Sequence, residues 1–465
     1  MQFVELPFLL YFLPLTLLLH RIAVSLNRGS VYGSPARVVI FSSTLIFYGF
    51  KEPWWLIPFA ICIFFDFLWA SLLSSSKTPR TRKIWLWCSV SQNLILLGFF
   101  KYFDFILENV ALFPPLAPGA NQLREVVNLS LPPGISFYTF ESLSFVIDVY
   151  WRRISPPKSP LQFFAFIGMF PRFIAGPIIR YRDMAHQFTD YRGMQWEKGI
   201  STFALGFFFK RVIADRFAQW VPLAFANSQL NFGTAWMGTL SYTFQIYFDF
   251  YGYSLMAIGL GQILGFEFPV NFRYPYSANS LKDFWRRWHI SLSSWLKDYV
   301  YVPLGGNQNG TLKTYRNLLL TMIIGGFWHG ANWTFIIWGA LHGLGLAFER
   351  AFSLRMGRVG TFGIVLIAWV FFRADTVSEA VSITSVLFSP GHGLQNFNWA
   401  VDRDCLIGCV LGIAYVNFIE GKFLDLRNRI VLYCENQISW GFVLLAFLVP
   451  FNFDNSNIPF LYFQF

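Results

Sequence analysis

His329 stands in the setting best suited to proton transfer among the six histidines of this 465-residue chain. Gly325, Gly326, Trp328, Gly330 and Asn332 surround it. Glycine permits unusual backbone and close approach of a ligand, and imidazole is the side chain that titrates nearest neutrality. The apolar stretch from Asn317 to Phe327 that leads to it would rise about 16 Å as a helix. That is roughly half of a hydrocarbon core about 30 Å thick. An ionisable side chain at such depth points to function. The structural alternative is a histidine hydrogen-bonded inside a helix bundle. His342 lies on the return segment and reads as a packing histidine bonded to a carbonyl. His289 falls at the edge of an apolar stripe, beside Trp285 and Leu292, free to face inward or outward. His20, His186 and His392 read as interface or loop residues.

Other chemistries lack their residues. Gly305, Gly306 and Gly310 are not followed by the Lys-Ser or Lys-Thr of a phosphate loop. No Gly-x-Ser-x-Gly nucleophile turn occurs. Cys62, Cys88, Cys405, Cys409 and Cys434 read as core thiols, and no second pair completes a metal site with Cys405 and Cys409. No metal is expected. Asp66, Glu141, Asp148 and Asp249 lie inside apolar runs, where a carboxylate must face a partner or water.

These residues need a membrane-embedded frame to position them. Charged residues make up 13% of the chain, against about 25% in a soluble domain. Apolar runs recur along nearly the whole length, so a single domain over 1–465 is expected. The candidate spans are 6–26, 37–50, 54–74, 84–103, 134–151, 200–222, 236–264, 359–373, 405–420 and 437–453. The formal net charge is +11, but its cations cluster in short loops between apolar runs, which argues for cytoplasmic loops and against nucleic acid. The loops around Arg28, Lys77, Arg152, Arg180, Arg273–Arg316, Arg350 and Lys422 then lie on the cytoplasmic side, and the N-terminus starts outside. No cleavable signal is apparent in the run from Leu6 to Leu19.

Two segments break simple alternation, because both their ends are basic: 161–179 and 317–348. Each is read as re-entrant or a tight hairpin, the alternative being two spanning helices beside a miscounted neighbour. Irregular backbone at membrane depth is tolerated only beside protein or a watery cavity. Between them, Ser280 and Asp283 form a capping-box-like start. Leu281, Phe284, Trp285, Trp288, Leu292, Trp295, Leu296 and Tyr299 then recur at helical spacing. The pattern predicts one amphipathic helix over 281–300 on the cytoplasmic membrane surface. Trp285, Trp288, Trp295 and Tyr299 would hold it to the membrane, with Arg286, Arg287 and Lys297 turned to lipid headgroups or to a phosphorylated donor.

Phe284-Trp285-Arg286-Arg287-Trp288-His289-Ile290-Ser291-Leu292-Ser293 resembles the first signature of the bacterial membrane-bound O-acyltransferase family. Gly325-Gly326-Phe327-Trp328-His329-Gly330-Ala331-Asn332-Trp333 resembles the second, which holds that family's catalytic histidine. Further matching blocks are Leu131 to Tyr138, Ile174 to Pro177, Tyr247 to Phe250 and Phe460 to Phe465. Two departures stand out: Ser254-Leu255, where Ser-Asp is common, and Arg172 in place of an uncharged residue or a histidine.

The resemblance implies an all-α polytopic membrane protein. Its fold would be a ring of about 10–12 transmembrane helices with re-entrant segments around a central funnel, and 317–348 would be the catalytic hairpin. It implies His329 and His289 as catalytic residues, with Trp328, Asn332 and Trp285 in support. Acetyl-CoA is the implied donor, with no bound cofactor. The implied acceptor is an exported polysaccharide of the alginate type, reached through a periplasmic or membrane-anchored acetyltransferase partner at the bacterial inner membrane. Rival readings are a peptidoglycan O-acetylation subunit, D-alanyl transfer to teichoic acid, and a transporter built on broken helices.

Overall fold

A computed structural model of the chain describes residues 1–26, 32–127, 130–226, 230–390, 399–416 and 458–461. The expected span at 437–453, Cys434 and His392 lie outside the described residues. Every element among the described residues is a helix. The described residues group into two compact units, 1–199 with 257–269, and 200–256 with 270–465.

The first unit is built on α1 (Leu13–Ser25), α2 (Ser34–Gly49), α3 (Leu56–Ser75), α4 (Pro79–Leu97), α5 (Ile135–Tyr150) and α6 (Pro160–Ile167). Sequence sets the ends locally. Thr78 accepts the N–H of Thr81 at 3.2 Å and Pro79 opens α4, where a missing N–H costs nothing. The Arg82 guanidinium donates to the carbonyls of Leu73, Val149 and Tyr150, satisfying the ends of α3 and α5.

The acids inside the apolar runs have found partners. Asp66 accepts from Ser89 at 2.5 Å and from Asn93 at 2.9 Å, while Asp148 pairs with Arg153 and Arg182. Arg172, the residue that departs from the family pattern, forms a buried ion pair with Glu141 and also donates to the Phe166 carbonyl. Glu141 in turn accepts the backbone N–H of Ile179 at 3.1 Å. These side chains satisfy the irregular backbone of 168–180, together with Thr44, which accepts the N–H of Phe170 at 3.0 Å.

In the second unit, α7 (Trp196–Phe208, within this unit from Ile200) runs into a π-helical stretch, Phe209–Ala214. There the Lys210 ammonium lies 2.5 Å from Asp249 and 2.8 Å from Asp215. Asp249 also accepts the backbone N–H of Leu461 at 2.8 Å. Asp249 is carried on α8 (Phe232–Ile263), whose residues up to Met256 belong to this unit. Then follow α9 (Leu281–Arg287), α10 (Ile290–Leu296), α11 (Thr311–His329), α12 (Trp333–Ala351), α13 (Gly357–Arg373), α14 (Val377–Leu387) and α15 (Trp399–Ala414).

Three helical stretches among the described residues are long and apolar enough to cross a membrane: Phe8–Ser25, Pro53–Ser75 and Pro79–Val110. The longest helix, α8, has 32 residues and rises about 48 Å. It is not among them, and it carries the buried polar residues Thr239, Ser241, Thr243, Gln245, Asp249 and Ser254.

Candidate active site

The site is a helical hairpin closed by small residues. Helices α11 and α12 approach so closely at Gly326 that a Cβ there would strike the carbonyl of Phe335 and sit 3.2 Å from the Cα of Gly339. The first arm begins at Thr311, six residues before the apolar stretch expected from sequence, so it is 19 residues long and rises about 28 Å. Its polar first turn is helical as well. His329 is its last residue. Gly330 leaves the helix with extended backbone, and Asn332 starts the return arm as its N-cap, accepting the N–H of Thr334 at 3.1 Å. The Asn332 amide also donates to the Asp375 carbonyl at 2.9 Å, which pins the hairpin tip to the end of α13.

Aromatic rings wall the His329 imidazole. Ring centroids of Trp328, Trp338 and Phe372 lie 4.9, 5.2 and 5.1 Å away, each roughly edge to face. His329 is 5% exposed. The imidazole of His289, fully buried, lies 6.5 Å from it between centroids and packs against Phe250 at 4.6 Å. The structure thus brings together His329, His289 and Trp328. Burial pulls the His289 pKa down to about 3, so this imidazole is neutral at physiological pH.

The segment before His289 differs from expectation. The single surface helix over 281–300 is broken. Helix α9 ends at Arg287, Trp288 is extended, and His289 is left-handed at φ 41° before α10 begins. Such a conformation costs a non-glycine residue about 1–3 kcal/mol. The break turns Trp288 into the protein, against Phe272 at 5.0 Å and Trp369 at 4.9 Å. Trp288, Trp295 and Tyr299 are buried, so they pack in the core and do not anchor to lipid. The start of α9 matches the sequence: Ser280 accepts the N–H of Asp283 at 3.1 Å. Asp283 reaches back to Asn279 and not to the cap residue.

Trp285 is half-buried and donates its indole N–H to Nδ1 of His342 at 3.3 Å. His342 is therefore bonded to an indole, where a carbonyl was expected. With Nδ1 accepting, the His342 proton resides on Nε2. Its ring packs on Trp338, which joins His342 to the wall around His329. The two arginines separate. Arg287 is held by Asp283 at 2.9 Å, whereas Arg286 is exposed.

Sequence reading missed two buried positioning residues. Glu349, near the end of α12, accepts the N–H groups of Leu281 at 2.7 Å and Lys282 at 3.3 Å. A carboxylate at a helix N-terminus is stabilising there, and this one fixes α9 to the hairpin. Asn271 bonds the backbone that follows His289. Both contacts are long-range, and neither residue type is distinctive in sequence.

Comparison with known proteins places the chain in a family. The model of the membrane-bound O-acyltransferase family matches residues 151–374, which include both histidines and the hairpin. A probable alginate O-acetylase AlgI of Azotobacter vinelandii is 42% identical over 428 residues, covering 88% of this chain and 82% of that protein. The Pseudomonas putida protein of the same name is 37% identical over 496 residues, covering 98% and 99%. The peptidoglycan O-acetyltransferase of Helicobacter pylori is 36% identical over 483 residues, covering 91% and 90%. The chain belongs to the membrane-bound O-acyltransferase family.

Proposed function

We propose that this membrane protein is an O-acetyltransferase that passes an acetyl group from cytoplasmic acetyl-CoA across the membrane for O-acetylation of an exported or cell-envelope polysaccharide, with His329 as the general base. The convergence of His329 and His289, 6.5 Å apart inside one aromatic wall, supports this reading most directly. An imidazole nitrogen of His329 takes the proton of an acceptor hydroxyl as its oxygen attacks the acetyl carbonyl. The new C–O bond forms, the C–S bond of the thioester breaks, and the departing thiolate collects a proton. Base catalysis of this kind contributes about 10²–10⁴-fold. Neutral His289 serves the donor side. Trp328, Trp285 and Asn332 hold the pair in register.

On this reading the protein is a multi-pass ring in the bacterial inner membrane, and the acetyl group crosses without its carrier. A periplasmic or membrane-anchored acetyltransferase completes delivery to the polymer. The alginate-type names of two relatives favour an alginate-like acceptor, and the third favours peptidoglycan.

Mass analysis of the exported glycan decides among these. A deletion strain should lose acetyl esters and regain them with the wild-type gene. Alanyl esters lost in their place would replace acetyl by D-alanyl transfer. Purified protein should also move label from acetyl-CoA to a sugar or a protein acceptor. Substrate movement without acyl chemistry would make it a transporter.

Arg286 tests donor binding separately. Its exposed guanidinium can fork onto a phosphate, whereas that of Arg287 is already engaged by Asp283. Arg286→Ala should raise KM for acetyl-CoA about tenfold in detergent, the loss of one charge-assisted hydrogen bond, and Arg287→Ala should raise it less. If both variants keep the wild-type KM, these arginines only anchor to anionic lipid.

A further inference from the structure

Asn271 belongs to no block by which the sequence resembles its family, yet it is buried at 1% exposure directly beneath the turn that carries His289. Three hydrogen bonds meet on it. Its backbone carbonyl accepts the N–H of Ile290 at 2.9 Å. Its side-chain oxygen accepts the N–H of Ser291 at 3.3 Å, and its amide donates to the Ser254 hydroxyl at 3.2 Å. The two N–H groups are the first of α10, and that of Ser291 is one that an N-cap side chain would ordinarily satisfy. His289 occupies that cap position, and its side chain makes no cap bond. The cap is supplied from 18 residues upstream.

This arrangement also accounts for the left-handed backbone. A non-glycine residue keeps φ near 41° only where its surroundings over-determine it. With the two following N–H groups tied to one fixed residue, rotation at His289 would break both bonds. Ser254 fixes Asn271 in turn, and both lie in the second unit.

We propose that Asn271 is a positioning residue for acyl transfer, acting through His289: by capping Ile290 and Ser291 it holds the His289 imidazole beside His329. This builds on the acyl-transfer reading above. Asn271 acts through the backbone of the turn, and its effect is orientation.

The test uses the full chain purified in detergent, with labelled acetyl-CoA and hydrogen exchange of the peptide containing residues 290 and 291. Asn271→Leu keeps the volume and removes the side-chain bonds. It should lower kcat on the order of 100-fold, the loss that accompanies a misplacement of about 1 Å. KM for the donor should stay near wild type, and exchange at Ser291 should quicken. Asn271→Asp keeps an acceptor for Ser291 and can accept from Ser254, so it should recover most of the lost kcat and slow exchange again. Ser254→Ala, which removes only the acceptor of the Asn271 amide, should shift kcat and exchange the same way by a smaller factor. It carries the test if Asn271→Leu does not accumulate. Wild-type kcat in both Asn271→Leu and Ser254→Ala would overturn the proposal. So would Asn271→Asp failing to improve on Asn271→Leu. If His289→Ala is fully active, the donor-side role of His289 is what fails. In that case exchange at Ser291 still decides whether Asn271 sets the turn, so the two failures are distinguishable.

Discussion

Replacing His329 with alanine is expected to abolish O-acetylation while the protein accumulates and inserts as wild type. The imidazole supplies a nitrogen that can take a proton, whereas Trp328, Trp338 and Phe372 packed around it offer rings and indole N–H groups. Losing a general base removes about 10²–10⁴-fold in rate, enough to take turnover below detection in a cellular assay. Stability should suffer far less. Edge-to-face contacts are worth about 0.5–1.5 kcal/mol each, and the backbone of the tip is held independently by Asn332. The check is ester content of the exported glycan beside protein level in the membrane fraction. Normal acetylation in His329→Ala would end the assignment, and loss of the protein would require His329→Gln in its place.

The second large effect lies three residues earlier on the same arm. Gly326→Val is expected to remove folded protein altogether. The atoms that a Cβ would meet at Gly326 belong to the backbone of Phe335 and Gly339, so no side-chain rotation makes room. From the other arm, a Cβ at Gly339 would meet the backbone of Met322 and Ile323. The arms must therefore separate, at a cost beyond the usual 1–3 kcal/mol of overpacking, because the aromatic contacts that bridge them part as well. Gly363→Val is the control, since nothing lies within 4 Å of a Cβ there. Size-exclusion profiles of detergent extracts compare them. A monodisperse Gly326→Val peak with wild-type melting would refute the close-packing argument.

How much of this was legible in the sequence depended on the range of the cause. The hairpin was readable because Gly325, Gly326, Gly330 and Asn332 act within a few residues of the turn they make. The start of α9 was readable for the same reason, as Ser280 bonds three residues ahead. The break at Trp288 and His289 was not. Apolar residues continue at helical spacing straight through it, and the groups that stabilise it, Asn271 and Ser254, come from elsewhere in the chain. Periodicity also misled on exposure. Trp288, Trp295 and Tyr299 form an apolar stripe, but the stripe meets other protein side chains and not lipid. Asp66, Glu141, Asp148 and Asp249 needed partners, and the sequence said so without naming them. Apart from the Cys62 thiol one turn from Asp66, the partners named lie on another segment or beyond the next bend.

The Glu141–Arg172 pair has a consequence for biogenesis. An arginine entering a bilayer alone costs a few kcal/mol or more, and 160–180 is too irregular to insert as an autonomous helix. Ribosomes deliver the chain from its N-terminus, so α5 with Glu141 emerges about 30 residues before Arg172. The countercharge is thus already waiting when the arginine arrives, along with the means to satisfy the Ile179 amide. On the acyl-transfer reading, which places 160–180 in the bilayer, insertion of the broken segment becomes a docking event onto a helix made earlier. A permuted gene that placed 160–180 ahead of α5 would present the translocon with an unpaired cation, although the finished protein would contain every one of the same contacts.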